Sequence, residues 1–446
     1  MVLKSGFKMT EFGPLPEDWE VVRLGDYCRL FSGYAFRSSD FVDSGILVIK
    51  IGNLQDGTII IDKKTSYFPP EKVTKQIEKY KLCKGDILIA LTGATTGKIA
   101  VVPDKFEGSL LNQRVGKFEI FNEKLDKDFF RYLCLLNSFQ KKIKENILQS
   151  AQGNISPKQI EQIYIPLPPL PEQKAIARVL KTIQDAIEAT ERVIAAAKEL
   201  KKSLMRHLFT YGPVPVSERD RVRLKQTEIG PIPEDWKVVR LGEVCDVKGG
   251  KRLPKGHSFS EIPTKFPYIR VVDFMNWTVD TKNLKYLTEE DAKLLQRYRI
   301  FSKDVFISIA GTVGLVGMIP KELDGAYLTE NAARIVIKDF KYLEPNFLVA
   351  FLVSARGQYE IDQRTTKTSQ PKLALARIRE IPIPLPPISV QQKIAQILKT
   401  VDDKISAEEK KKEALQAFFK TMLHRLMTGK IRVKYSGEDH GRQDFS

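Results

Sequence analysis

Mostly apolar residues recur along positions 172–208 at alternating steps of four and three: Ile176, Leu180, Ile183, Ile187, Thr190, Ile194, Ala197, Lys201, Leu204 and Leu208. The mean step of about 3.5 residues is that of a coiled-coil seam, narrower than the face of an ordinary globular helix. Neither Gly nor Pro interrupts the stretch, and Ala, Glu, Lys, Leu and Gln dominate it. Local propensity therefore agrees with one helix about 55 Å long. The preceding run Pro166-Leu167-Pro168-Pro169-Leu170-Pro171 is expected to be non-helical, and Gly212-Pro213 to end the helix.

The seam returns 218 residues later as Ile394, Leu398, Val401, Ile405, Glu408, Lys412, Leu415, Phe419, Met422 and Leu426. It again follows a proline-rich run, Ile383-Pro384-Leu385-Pro386-Pro387-Ile388. Two such seams in one chain predict that the helices pair with each other, though Lys201, Glu408 and Lys412 exclude a wholly dry zipper. Upstream, Gly13-Pro-Leu-Pro-Glu-Asp-Trp19 returns as Gly230-Pro-Ile-Pro-Glu-Asp-Trp236, an offset of 217. The chain reads as a tandem duplication of about 215 residues, each copy a globular segment and a long helix.

Between those matching ends the copies diverge. Residues 84–89 resemble 302–307, and Gly93 to Gly97 parallels Gly311 to Gly314, each a Gly/Thr turn between β-rich runs. The pattern predicts strand, tight loop, strand in both copies, with amphipathic helices over 128–147 and 344–361. The expected fold is α+β, a pseudo-dimer of two globular domains whose long helices form an antiparallel coiled coil. The expected segments are 1–165 and 212–382 for the domains, 166–211 and 383–430 for the helices, and 431–446 for a frayed tail. Copies that agree at their ends and differ in their middles fit one scaffold carrying two readouts.

Composition narrows the class. The 446 residues are 42% hydrophobic, enough for real cores. With 72 Lys plus Arg against 55 Asp plus Glu, the net charge of +17 favours a polyanion, most commonly nucleic acid. Cys28, Cys83, Cys134 and Cys245 are scattered among only four His, so neither a metal site nor a disulfide framework is expected. No apolar signal segment opens the chain, and its most apolar stretch, 305–319, is too short to span a bilayer. The expected setting is cytoplasmic, without a membrane partner.

Catalytic motifs are missing. Gly93-Ala-Thr-Thr-Gly97-Lys98 has three residues between its glycines where a Walker A loop has four, and Ile99 follows the lysine. There is no GxSxG, HExxH or paired CxxC, no Asn/Asp-Pro-Pro-aromatic methyltransferase motif, and no Glu/Asp-x-Lys in the thirty residues after Pro103-Asp104. A binding protein outranks an enzyme. Candidate DNA contacts in the first copy are Arg37, Thr95, Thr96, Lys98, Asn112, Gln113, Arg114, Gln152, Asn154, Ser156 and Lys158. In the second they are Lys251, Arg252, Arg270, Thr312, Asn331, Arg334, Arg364, Thr366, Lys367, Thr368, Ser369, Gln370 and Lys372. Arg, Lys, Asn and Gln can pair with base edges, while Ser, Thr and loop amides suit phosphates.

Ile165-Pro-Leu-Pro-Pro-Leu-Pro-Glu-Gln173 and its second copy through Gln391-Gln392, with the paired segments ending at Trp19 and Trp236, resemble the specificity subunits of type I restriction–modification enzymes. The resemblance spans nearly the whole chain. It implies two target recognition domains, each reading half of a split, asymmetric DNA site, with the helix pair as spacer. It also implies two modification subunits that methylate adenine, and restriction subunits. S-adenosylmethionine, and ATP with Mg, are then expected on those partners and no cofactor on this chain. Ser389-Val390 stand where Pro171-Glu172 do, a departure in the second copy. The competing readings are a coiled-coil adaptor that binds nucleic acid without sequence preference, and a cryptic DNA-modifying enzyme.

Overall fold

The strand Ile87–Ala90 is apolar on both faces, and a period of two sends alternate side chains to opposite sides. Ile87 and Ile89 join one core with Ile176 and Leu180 of the long helix, and Leu88 and Ala90 join another with Ile49, Leu54 and Ala100. In a computed structural model, which describes residues 6–55, 57–148, 154–275, 277–367 and 369–433, this strand is central to an antiparallel sheet. The order is Ile99–Val101, Ile87–Ala90, Val115–Ile120, Cys28–Ser32. A smaller sheet, Leu110–Leu111, Ile46–Ile49 and Ser66–Phe68, contains a parallel pairing of its first two strands.

The second copy repeats the plan. Its main sheet runs Cys245–Gly249, Ala332–Ile337, Val305–Ser308, Val316–Met318. Val305 and Ile307 face a core shared with Ile394 and Leu398, while Phe306 turns to the other side. The strand, tight loop, strand pattern forms as expected in both copies, with Gly93, Gly97, Gly311 and Gly314 at positive φ.

The chain divides into two compact units, residues 1–190 with 411–446, and residues 191–410. Each boundary falls inside a long helix, not at the proline runs. Leu170–Tyr211 is one helix of 42 residues and Ile388–Met427 another of 40. At 1.5 Å per residue both are about 60 Å long. The first begins earlier than expected: Pro171 lies in its opening turn, where a missing N–H breaks no helical hydrogen bond. Pro166 and Pro384 instead occupy extended pairings, Tyr164–Leu167 with Glu20–Arg23 and Pro382–Leu385 with Lys237–Arg240.

Each long helix is stapled to its domain by a fully buried glutamine. The Gln173 amide donates to the Lys124 and Pro168 carbonyls, both at 2.8 Å, and its oxygen accepts from the Asp126 amide. Gln391 repeats the arrangement with the Tyr342 and Pro386 carbonyls and the Glu344 amide.

The helices expected over 128–147 and 344–361 are each two helices, Lys127–Cys134 with Asn137–Leu148 and Pro345–Val353 with Ala355–Arg364. Apolar spacing carries across the break, so periodicity does not reveal it. Ser354 is extended and caps the later helix, its Oγ accepting from the Gly357 amide at 3.2 Å. Side-chain amides of Gln140 and Gln358 donate to the Cys134 and Leu352 carbonyls that the breaks expose.

The seam is wider than two helices. Ile176, Leu180, Ile183, Ile194, Leu208, Ile394, Leu398, Ile405 and Leu426 are buried, and Ile187, Leu204, Val401, Leu415, Phe419 and Met422 are half-buried. Met205, Phe209, Leu423 and Met427, off the expected seam, are buried too because the domains pack on the same helices. In the second unit Lys198 pairs with Glu409 and Lys201 with Asp402, so those helix segments run antiparallel. The polar seam positions are occupied: Thr190 donates to the Ala186 carbonyl, and Glu408 accepts from Lys404. Residues 431–433, expected in a frayed tail, are docked on the first unit through Ile431, Val433 and Arg432. No helix among the described residues is long and apolar enough to cross a membrane.

Candidate nucleic-acid interface

The end of the central strand organises the candidate residues. In the first unit the Leu91 amide donates to the Arg114 carbonyl, and the Leu91 carbonyl accepts from Ile155. In the second, Ile309 makes the same bonds to Asn331 and Leu373. Three loops meet there in each unit: the Gly/Thr turn, the 112–114 or 329–331 loop, and the segment from 154 or 366–373.

A fourth loop closes the group. Tyr34 donates to the Leu111 carbonyl and Lys251 to the Leu328 carbonyl, just after Gly33 and Gly250. Any Cβ on Gly33 would strike the Leu111 and Asn112 carbonyls, and on Gly250 those of Leu328 and Thr329. Only glycine allows this approach.

The structure therefore brings together Thr95, Thr96, Lys98, Asn112, Gln113, Arg114, Asn154, Ser156 and Lys158 in one unit. It brings together Lys251, Arg252, Thr312, Asn331, Thr366 and Lys372 in the other. Gln113, Arg114, Lys158, Lys251 and Thr312 are exposed. Among the described residues, the Arg114 and Lys158 side chains meet no hydrogen-bond or ion-pair partner, so their donors face outward.

Several candidates, some within these groups and some outside them, are engaged in the fold. Arg334 is in a side-chain environment only 13% exposed, ion-paired to Asp304 at 3.8 Å and bonded to the Arg299 carbonyl. Burial raises the Asp304 carboxyl above its ordinary range, with the Phe301 amide and Arg334 opposing. Arg364 is held by Glu360 at 2.6 Å, Arg270 by Asp273 at 2.8 Å, and Arg252 by Glu330 at 2.9 Å. Thr95 donates to the Ile51 carbonyl, Thr96 to Gly93, and Thr366 to Lys372. Asn112 is buried and its side-chain oxygen accepts from the Arg114 amide. Ser156 caps the helix Pro157–Glu161. Lys367 lies 3.8 Å from Asp362, and Ser369 and Gln370 are exposed. Arg37 is exposed before a short turn that does not join the group. Gln152 and Thr368 lie outside the described residues.

Two positions were not legible from residue type. Tyr34 is the counterpart of Lys251, packed edge-on to Tyr80 and Phe36. Lys50 is the counterpart of Arg270, bonded to Ser66 at 2.7 Å and lying 3.6 Å above the Phe41 ring; burial lowers its pKa. The signal for both was the repeat: aligning Gly33 with Gly250, and Asn53 with Asp273, pairs them.

Burial pushes the Cys28 and Cys245 thiols up to about 12, away from the reactive thiolate. Among the described residues no three His, Cys, Asp or Glu side chains cluster to hold a metal. The arrangement presents amides, hydroxyls, guanidinium and ammonium groups, which suit phosphate and base-edge contacts.

A sequence model described as the type I restriction modification DNA specificity domain matches residues 16–199 and again 233–417, offsets of 217 and 218. The putative type I restriction enzyme MjaX specificity subunit of Methanocaldococcus jannaschii is 30% identical, covering 97% of this chain and 98% of the relative. The MjaVIII specificity subunit of the same organism is 29% identical over 97% of each. The crystal structure of a type I restriction–modification S subunit from M. genitalium shares the fold, with a TM-score of 0.57 at 16% identity, over 96% of this chain and 98% of that one.

Proposed function

Because the chain belongs to the specificity-subunit family of type I restriction–modification systems, we propose that it is the DNA-reading subunit of such a complex. Each unit reads one half of a split target, and the continuous helices set the gap. Loops around Arg114 read the first half, and loops around Lys251 and Thr312 read the second. Lys98 and Lys158 hold phosphates.

The observation that carries this reading is the repeated meeting of loops at the end of Ile87–Ala90 and of Val305–Ser308, on matching scaffolds with different side chains. A net charge of +17 supplies the non-specific attraction that brings DNA in. Two copies of an adenine-methylating modification subunit complete a methyltransferase, and restriction subunits complete a nuclease. S-adenosylmethionine and ATP with Mg bind those partners, and this chain catalyses no step. Sequencing modified bases in DNA from a host carrying the chain and its modification subunit tests the reading. A single target of two specified blocks flanking an unspecified gap is expected, and methylation without any motif would refute it.

A further inference from the structure

The two units differ at one equivalent place. In the second, the hairpin Phe274–Met275 and Thr278–Val279 turns through Trp277, whose φ of 65° lies in the left-handed region. A bulky residue there is strained, and such strain persists where the surroundings impose it. The Trp277 ring sits on Lys201 of the long helix, with Nζ 2.9 Å from its centroid, and Lys201 is ion-paired to Asp402 of the other helix. The hairpin is thereby tied to the helix pair.

The first unit has the same hairpin, Leu54–Gln55 and Thr58–Ile59, with Gly57 at the turn and a φ of 85°. The equivalence is structural: the Gly57 carbonyl accepts from the Val101 amide as the Trp277 carbonyl accepts from Met318. The repeat offset of 218 sets Phe419 in place of Lys201 and Gln184 in place of Asp402. Gly57, Gln184 and Phe419, with Ile187, Arg131 and Lys420, line an open cavity of about 830 Å³. A Cβ on Gly57 would meet only a Leu135 methyl, at 3.9 Å. What one unit fills, the other leaves empty.

We propose that this cavity is a docking site for an aromatic side chain of the modification subunit, supplied by the partner where the second unit supplies Trp277 itself. The proposal rests on the functional reading above. Its occupant follows from two observations. The equivalent place holds an aromatic ring against a cation, and the cavity keeps that chemistry, with Arg131 and Lys420 on its border and Phe419 and Ile187 at its wall. A ring offers a negative face to such cations and an apolar body to such walls. Lys420 makes no side-chain hydrogen bond or ion pair among the described residues, so its charge is available. The volume falls within the roughly 300–1,000 Å³ of sites that bury a ligand well.

The test is titration of the purified modification subunit onto the full chain and onto Gly57→Trp, read by sedimentation as subunits bound per chain. Trp277 shows that this turn accommodates tryptophan. The variant should lose at least tenfold affinity for one of two bound subunits while its DNA binding is unchanged. Gln416→Trp, which fills the cavity from the helix side, should do the same and replaces Gly57→Trp if that variant melts early. Unchanged uptake by either folded variant overturns the proposal, as does a loss confined to DNA binding. A wild-type chain that takes up no modification subunit overturns the functional reading itself, so the two failures are distinct.

Discussion

Arg432 clasps Glu172 across 260 residues of chain, with Nε 2.6 Å and Nη2 2.9 Å from its carboxylate. Glu172 is fully buried and also accepts the Trp19 indole N–H at 2.9 Å, while Arg432 reaches on to Asp18 at 2.7 Å. One group thus ties together the start of the first long helix, the first domain's buried tryptophan and the segment after the second helix. Val390 stands in place of Glu172 in the second copy, so the clasp belongs to one unit only.

Removing Arg432 leaves a buried carboxylate without its cation. Arg432→Ala should destabilise the protein by about 2 kcal/mol, below the roughly 3–5 kcal/mol of a fully buried pair because Arg432 is about one-third exposed. Chemical denaturation followed by circular dichroism measures it, and an unchanged midpoint would show the clasp to be idle.

The same carboxylate carries a pH signature. Burial raises the Glu172 pKa above its ordinary 4.5, with Arg432 and Trp19 pulling it back. The folded chain then binds this proton more tightly than the unfolded chain, so the contribution of Glu172 to stability falls as pH rises from about 4.5 through the raised value. Glu172→Gln should remove that component. The difference in melting temperature between the wild type and the variant, followed from pH 4 to 7, should therefore change in the variant's favour as pH rises; a flat difference contradicts it.

Gly250 permits the loop crossing beneath Lys251. Gly250→Ala drives a methyl into the Leu328 and Thr329 carbonyls, which should cost about 1–3 kcal/mol and weaken recognition of the second half-site alone. Melting and binding to targets altered in one half at a time would check both parts.

Arginine roles separate by partner. Arg114 is exposed and Arg364 is held by Glu360. Arg114→Ala should weaken cognate DNA by about 1–3 kcal/mol with little change in melting. Arg364→Ala should chiefly lower stability, because it leaves Glu360 buried without its cation. Equal loss on all DNA sequences would make Arg114 a phosphate contact.

These contrasts mark what residue pattern could and could not convey. The long helices, the duplication and the turns at Gly93 and Gly311 were legible because each rests on spacing or on glycine, which act locally. The breaks at Leu135 and Ser354 were not, since the apolar period runs straight through them. Among candidate contacts, residue type could not tell Arg114 from Arg334: both are arginines, and what separates them is the burial of Arg334 beside Asp304 and the Arg299 carbonyl. Trp277 was hidden for another reason. A tryptophan where its counterpart is a glycine is disfavoured by backbone sterics, so no propensity points to it.

The most direct test of two independent readers on one scaffold is exchange of residues 30–155 for the same segment of a relative, followed by mapping methylated bases in the host genome. One half of the target should change, with the other half and the gap retained. A change in both halves, or in neither, would contradict the account.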